Sequence, residues 1–153
     1  MTGCRLQIAQ AADLPELFEM RCAALASASQ SPSLPVSPAS LQRAFAAGFV
    51  AGEWWLVLRP DGQRIGWLAW HDQARERHLQ HFYLLPAWQS QGIGGRLLHQ
   101  LCAEAGRRGL DVVLSVLHGS RAGAFYRRAG FIQDGGAPGE TWYRFTAHSA
   151  APL

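Results

Sequence analysis

Apolar positions recur along this chain with two different periods, and each change of period marks an element. Residues 5–9 alternate as a short strand. From Asp13 the spacing changes: Leu14, Leu17, Phe18, Arg21, Cys22 and Leu25 fall three and four apart, as on one face of a helix. Asp13 suits the N-cap, with Pro15 and Glu16 in the first turn, where both are well accommodated. Residues 27–40, rich in serine and proline, read as a loop, and a second short helix is expected over 38–47. Residues 54–58 and 65–70 flank the turn sequence Pro60-Asp61-Gly62 and read as a hairpin, and a third strand over 79–85 completes an antiparallel meander.

The second half is patterned differently. After a glycine-rich turn, Ile93, Leu97, Leu98, Leu101, Cys102 and Ala105 form one apolar helix face, stopped at Arg107-Arg108-Gly109. Residues 110–117 are almost continuously apolar, the mark of a strand covered on both faces. Ala122, Phe125, Tyr126 and Ala129 define a last helix closed by Gly130, and 141–145 is a final strand. The order β-α-α-β-β-β-α-β-α-β predicts an α/β fold, a mixed sheet with helices on its faces.

Composition narrows the function classes. A chain of 153 residues fits one domain over 1–153, and 48% hydrophobic with 16% charged residues suits a well-cored globule. No apolar run approaches the ~20 residues of a membrane span. The N-terminus lacks a charged-then-apolar signal pattern, so a cytoplasmic protein without membrane contact is expected. Cys4, Cys22 and Cys102 are dispersed, which argues against a disulfide framework or zinc site. The histidines include no His-Glu-x-x-His, and His78 and His81 point to opposite faces of a strand, so no metal is expected. The net charge of +3 rests on arginine alone, in scattered pairs such as Arg107-Arg108 and Arg127-Arg128. Nucleic acid would call for a contiguous basic patch, whereas a modest excess suits a small polyanion.

The richest segment is Gln89-Ser-Gln-Gly-Ile-Gly-Gly-Arg-Leu-Leu98, directly after the strand and Pro86. The first N–H groups of a helix have no intrahelical partner and carry partial positive charge, so a glycine turn opening a helix is an anion site. A P-loop is excluded, because Gly-Lys-Ser/Thr is absent. A dinucleotide fingerprint fails too: its third glycine would be Leu97, and Asp111 begins the next strand rather than ending it.

A third reading fits. Gln89-x-x-Gly92-x-Gly94 after Leu-Leu-Pro resembles the pyrophosphate loop of the GNAT superfamily of acetyl-CoA-dependent N-acetyltransferases. Ala122-x-x-Phe125-Tyr126-x-x-x-Gly130-Phe131 resembles that family's second cofactor motif at the usual distance. The resemblance is strongest over residues 78–131 and implies a GNAT-like fold with a splayed central sheet.

The resemblance also implies roles. Backbone N–H groups of Gln91, Gly92, Ile93, Gly94, Gly95 and Arg96 would cradle the coenzyme A pyrophosphate, with Gln89 and Phe125 flanking the cofactor. Helix-opening glycines cost about 1 kcal/mol each against alanine, which favours a ligand reason for them. The strand edge at Leu84 and Leu85 would pair with the pantetheine arm and offer an N–H to the oxyanion. Tyr126 would protonate the departing thiolate. The base would be His78, fourteen residues before Gly92, with His81 and Glu76 as rivals. The family's pantetheine-reaching asparagine is replaced by Gly119, a departure that Ser120 would offset.

An acetyl group moved from acetyl-CoA to a primary amine of a small molecule or peptide is therefore the expected activity. The alternative is a non-catalytic acyl-CoA-binding or regulatory module. The amine side is expected from the first two helices, the serine and proline loop and the C-terminal hairpin. Asp13, Glu16 and Glu19 would attract a cationic acceptor, and the tryptophans would line its pocket, serve as core or pair two copies in a homodimer.

Overall fold

A computed structural model of the chain describes residues 3–28, 38–118 and 120–147. Its elements are β1 (Arg5–Ile8), α1 (Leu14–Ala28), α2 (Pro38–Ala47), β2 (Trp54–Leu58), β3 (Arg64–Gln73), β4 (Glu76–Leu84), α3 (Ile93–Arg107), β5 (Asp111–Leu117), α4 (Ala122–Arg128), β6 (Ile132–Ala137) and β7 (Glu140–Phe145). The strands hydrogen-bond in the order β1-β2-β3-β4-β5-β7-β6, a mixed sheet in which β4 and β5 form the parallel pair. The expected order is present with one addition, β6. That strand reads Ile-Gln-Asp-Gly-Gly-Ala and is exposed throughout, so no hydrophobic alternation announces it. Most of the expected 27–40 loop lies outside the described residues, and its ends belong to α1 and α2.

The described residues group into two compact units, one within Gly3–Ala69 and His81–Gln89, the other within Trp70–Gln80 and 90–147. The first is built on β1, β2 and β3, paired antiparallel. Its core joins Leu17 and Met20 of α1 to Trp54, Leu56, Leu58, Trp67 and Ala69. Trp54 and Trp67 stack at 4.7 Å, and Trp67 Nε1 donates to the Leu17 carbonyl, which fastens α1 to the sheet. These two tryptophans are therefore core. A bulge shifts the β2–β3 register at Val57/Leu58, leaving Ile65 without a partner beside Gly66. A Cβ on Gly66 would lie 2.2 Å from the Tyr83 carbonyl oxygen, so only glycine allows this close approach to β4.

In the second unit, α3 buries Leu97, Leu98, Leu101, Cys102 and Ala105, the face expected from its period. Val112, Val113 and Leu114 of β5 are buried, and six antiparallel pairs join β5 to β7. The parallel β4–β5 ladder holds only Glu76↔Asp111, Arg77↔Val112 and His78↔Val113. Arg77, 1% exposed, is the one buried charged residue among those described. Its Nε and Nη2 donate to Asp72 at 2.8 and 3.0 Å, Nη1 reaches Glu104 and the Leu101 carbonyl, and its guanidinium lies over Trp70. Burial pulls the Arg77 pKa down, yet the hydrogen bonds to Asp72 and Glu104 outweigh it and hold the guanidinium above its ordinary value.

Candidate active site

The glycine turn takes the form its sequence requires. Gly92 is the N-cap of α3 with φ +83°, a left-handed conformation that L side chains resist. Gly92 has no side chain with which to cap this end, and the first hydrogen bond of the helix runs from Arg96 N–H to the Gly92 carbonyl. Cβ atoms built at Gly92 and Gly95 meet nothing within 4 Å, so the turn faces open space. A short helix end with uncapped amides and no overlying side chains is what an incoming phosphate needs.

One turn into α3 the same open side deepens into a cavity of about 350 Å³. Gly95, Leu98, His99 and Cys102 line it from α3, Phe125, Arg128 and Ala129 from α4 and its end, and Phe145 from β7. Burial pushes the Cys102 thiol up to about 12, so it is an inert wall rather than a nucleophile. Phe125 is among the residues that line this cavity.

Tyr126 follows on α4. It is buried, with its ring edge-on to Phe125 at 5.1 Å and to Phe131 at 5.5 Å. The amides of Ala129 and Phe131 donate to its carbonyl, which ends the helix at Gly130. Gly123, one turn earlier, packs beneath Tyr143, whose hydroxyl accepts from Arg127. The Phe-Tyr pair is thus set rigidly. Ser120 accepts from the Ala122 N–H at 3.1 Å and so opens α4. Gly119 lies outside the described residues.

The three candidates for the base separate clearly. His78 is half-buried, with Nε2 3.3 Å from Glu76 Oε1. Glu76 also accepts from Arg144 at 2.7 Å, and Arg144 bonds Asp111 and Asp134 as well. Glu76 is therefore bound into an ion network. His81 belongs to the other unit, its ring within 5.0–5.8 Å of Trp67, Trp54 and Tyr83. Burial first, and the nearby Arg21 charge second, lower its pKa to about 4.

In that same unit, the strand end is engaged on two sides. Leu85 N–H donates to the Ile65 carbonyl at 2.8 Å, and Gln89 Nε2 donates to the Leu84 carbonyl at 2.8 Å. Strand alternation then turns the Leu84 backbone away from β3, so Leu84 rather than Leu85 presents an edge. Gln89 acts on the loop through this bond, holding its start to the strand. Asp13 and Glu16 both pair with Arg64, so they are neutralised rather than set out for a cation. Sequence reading missed Gly66 and Arg77, whose importance lies in what packs against them.

Comparisons with known proteins bear on the family and the fold. The family model described as an acetyltransferase (GNAT) domain matches residues 51–133. No curated protein is similar enough to count as a match. Among solved structures, an acetyltransferase from Thermus thermophilus is similar with a TM-score of 0.74 at 19% identity, covering 95% of this chain and 99% of that one. The PaiA N-acetyltransferase of Thermoplasma acidophilum, solved with coenzyme A, has a TM-score of 0.73 at 16% identity, covering 94% and 98%. A single-residue variant of spermidine N-acetyltransferase from Vibrio cholerae reaches 0.69 at 14%, covering 98% and 97%. At such identities the likeness is one of fold.

Proposed function

The chain belongs to the GNAT acetyltransferase family, and from that premise we propose that it moves an acetyl group directly from acetyl-CoA to a primary amine of a small molecule or peptide. The observation that carries the reading is the uncapped, glycine-opened start of α3 beside a cavity that ends at Phe125, next to Tyr126.

The proposed roles follow from the chemistry of each group. Amides of Gln91 to Gly95 hold the pyrophosphate; the Arg96 N–H is already given to the Gly92 carbonyl, so Arg96 contributes the positive charge of its side chain instead. The Leu84 edge takes the pantetheine amides as an added strand would, and its N–H stabilises the oxyanion formed when the amine attacks the thioester carbon. That attack forms the C–N bond. Collapse of the intermediate breaks the C–S bond, and Tyr126 donates its phenolic proton to the departing thiolate, since a phenol stays protonated at neutral pH. His78 takes the proton from the amine, oriented by Glu76. Ser120 serves the arm where the family has asparagine. Leu117 and Ile132, 75% and 69% exposed on β5 and β6, support a homodimer, which light scattering checks.

The test is release of free thiol from acetyl-CoA with a panel of primary amines. Tyr126→Phe and His78→Gln are each expected to lower kcat by about 100-fold or more while acetyl-CoA still binds. If acetyl-CoA neither stabilises the protein nor loses its acetyl group to any amine, the reading fails.

A further inference from the structure

Arg21 occupies a position that an arginine rarely keeps. It lies four residues after Leu17, which is wholly buried, and three before Ala24, on the stripe of α1 that faces the core. An arginine in such a place ordinarily lays its stem along apolar surface and lifts its guanidinium into water. Here Nε is buried and donates to nothing. No carboxylate forms an ion pair with Arg21 among the described residues: Asp13 and Glu16 are held by Arg64, and Glu19, two residues before Arg21 on α1, is exposed. The residues outside the description, 29–37 and 148–153 among them, contain no aspartate or glutamate in their sequence. An unsatisfied buried donor on a permanent cation is destabilising, so its retention calls for an anion that arrives with a ligand.

The surroundings describe the rest of that ligand. Phe18, one turn before Arg21, meets Phe45 edge-on at 5.3 Å, and Phe45 reaches Trp54 and Trp67 at 5.3 and 5.6 Å. His81 and Tyr83 extend the same aromatic cluster along β4, and His81 is close enough to feel the Arg21 charge. Phe18, Phe45, Tyr83 and His81 are each only partly buried, over a floor of buried tryptophan. A site with one buried, unpaired guanidinium Nε beside partly buried aromatic rings fits a planar carboxylate joined to an apolar group. It is poorly suited to an acceptor carrying positive charge alone.

We infer that the acetyl acceptor is an amine that also bears a carboxylate, of the α-amino-acid type with an aromatic or aliphatic side chain, and that Arg21 binds the carboxylate. The inference rests on the acetyl-transfer reading for the word acceptor, but the binding claim stands apart from it.

The experiment pairs acids with their decarboxylated amines: phenylalanine with phenethylamine, leucine with isopentylamine, methionine with 3-(methylthio)propylamine. Thiol release from acetyl-CoA gives kcat/KM for each, and calorimetry with desulfo-coenzyme A present gives binding without turnover. The wild type is expected to prefer the carboxylated member of each pair by at least about tenfold in both assays. In Arg21→Met, which keeps the apolar stem, the ratio is expected to fall towards one, and Arg21→Lys is expected to restore part of it. Equal use of both members by the wild type would overturn the inference whether or not the variants fold. So would an unchanged ratio in a folded Arg21→Met. Carboxylate-selective binding without any acetyl transfer would support the Arg21 site while refuting the acetyl-transfer reading, so the two failures are distinct.

Discussion

His81 should make this protein lose stability as acid is added, at a pH where most carboxylates are still ionised. Its pKa falls from 6.5 to about 4 on folding because its imidazole is packed among Trp54, Trp67 and Tyr83 and lies near Arg21. Between those two values the unfolded chain binds a proton at this residue that the folded chain does not. Stability therefore falls as pH drops from 6.5 towards 4 and levels off below that. At ~1.4 kcal/mol per pH unit, the whole effect amounts to about 3 kcal/mol. Urea denaturation of the wild type and of His81→Gln at steps from pH 7.5 to pH 4 isolates it, because all other titrations cancel in the difference. His81→Gln will be less stable than the wild type near neutrality through lost packing, and that gap should close or reverse by about 3 kcal/mol across the window. An NMR titration of the ring should place its midpoint far below that of a free histidine. A stability difference that stays constant from pH 7.5 to pH 4 would refute the reasoning.

Gly66→Ala places a Cβ 2.2 Å from the Tyr83 carbonyl and should destabilise by at least 1–3 kcal/mol in denaturant melts, with the misplaced Leu84 edge raising KM for acetyl-CoA. Arg77→Ala leaves Asp72 and Glu104 with only the exposed Arg108 as a partner and should cost about 1–3 kcal/mol. Its hydrogen bond holds the Asp72 carboxyl below the ordinary aspartate value, so this contribution is present at neutral pH and is lost as pH falls below that range; the Arg77→Ala variant should lack that part of the acid slope in urea melts. Gly95→Ala adds a methyl where nothing lies within 4 Å, so thermal melting of the free protein should show a gain of up to about 1 kcal/mol, while KM for acetyl-CoA rises because the methyl intrudes on the phosphate. A Gly95→Ala enzyme with unaltered KM would remove this residue from the cofactor site.

Local pattern carried much of the design. The period of Ile93 to Ala105 named the buried face of α3 almost residue by residue, because a helix surface repeats what lies next to it in sequence. The glycine turn was legible for the same reason: a left-handed N-cap and an uncapped helix start are properties of a few consecutive residues. β6 was not, since an exposed edge strand with two glycines gains its hydrogen bonds from β7 and owes nothing to its own apolar pattern.

The remaining features belong to the tertiary structure alone. Arg77, Gly66 and Arg21 look ordinary in the chain, an arginine in a strand, a glycine in a strand, an arginine in a helix. What distinguishes them is distance and burial: Asp72 and Glu104 around Arg77, the Tyr83 carbonyl against Gly66, and a buried Nε of Arg21 that has no hydrogen-bond partner among the described residues. The same holds for the candidate bases, since Glu76 is engaged by Arg144, sixty-eight residues on, and His81 is desolvated by rings from two other strands. Sequence by itself pointed to every element but β6, to the family and to the glycine-opened helix start, all of which rest on neighbours in the chain. Tertiary structure decided which charges are paired and which groups are buried, because electrostatic energy depends on separation and burial rather than on order along the chain.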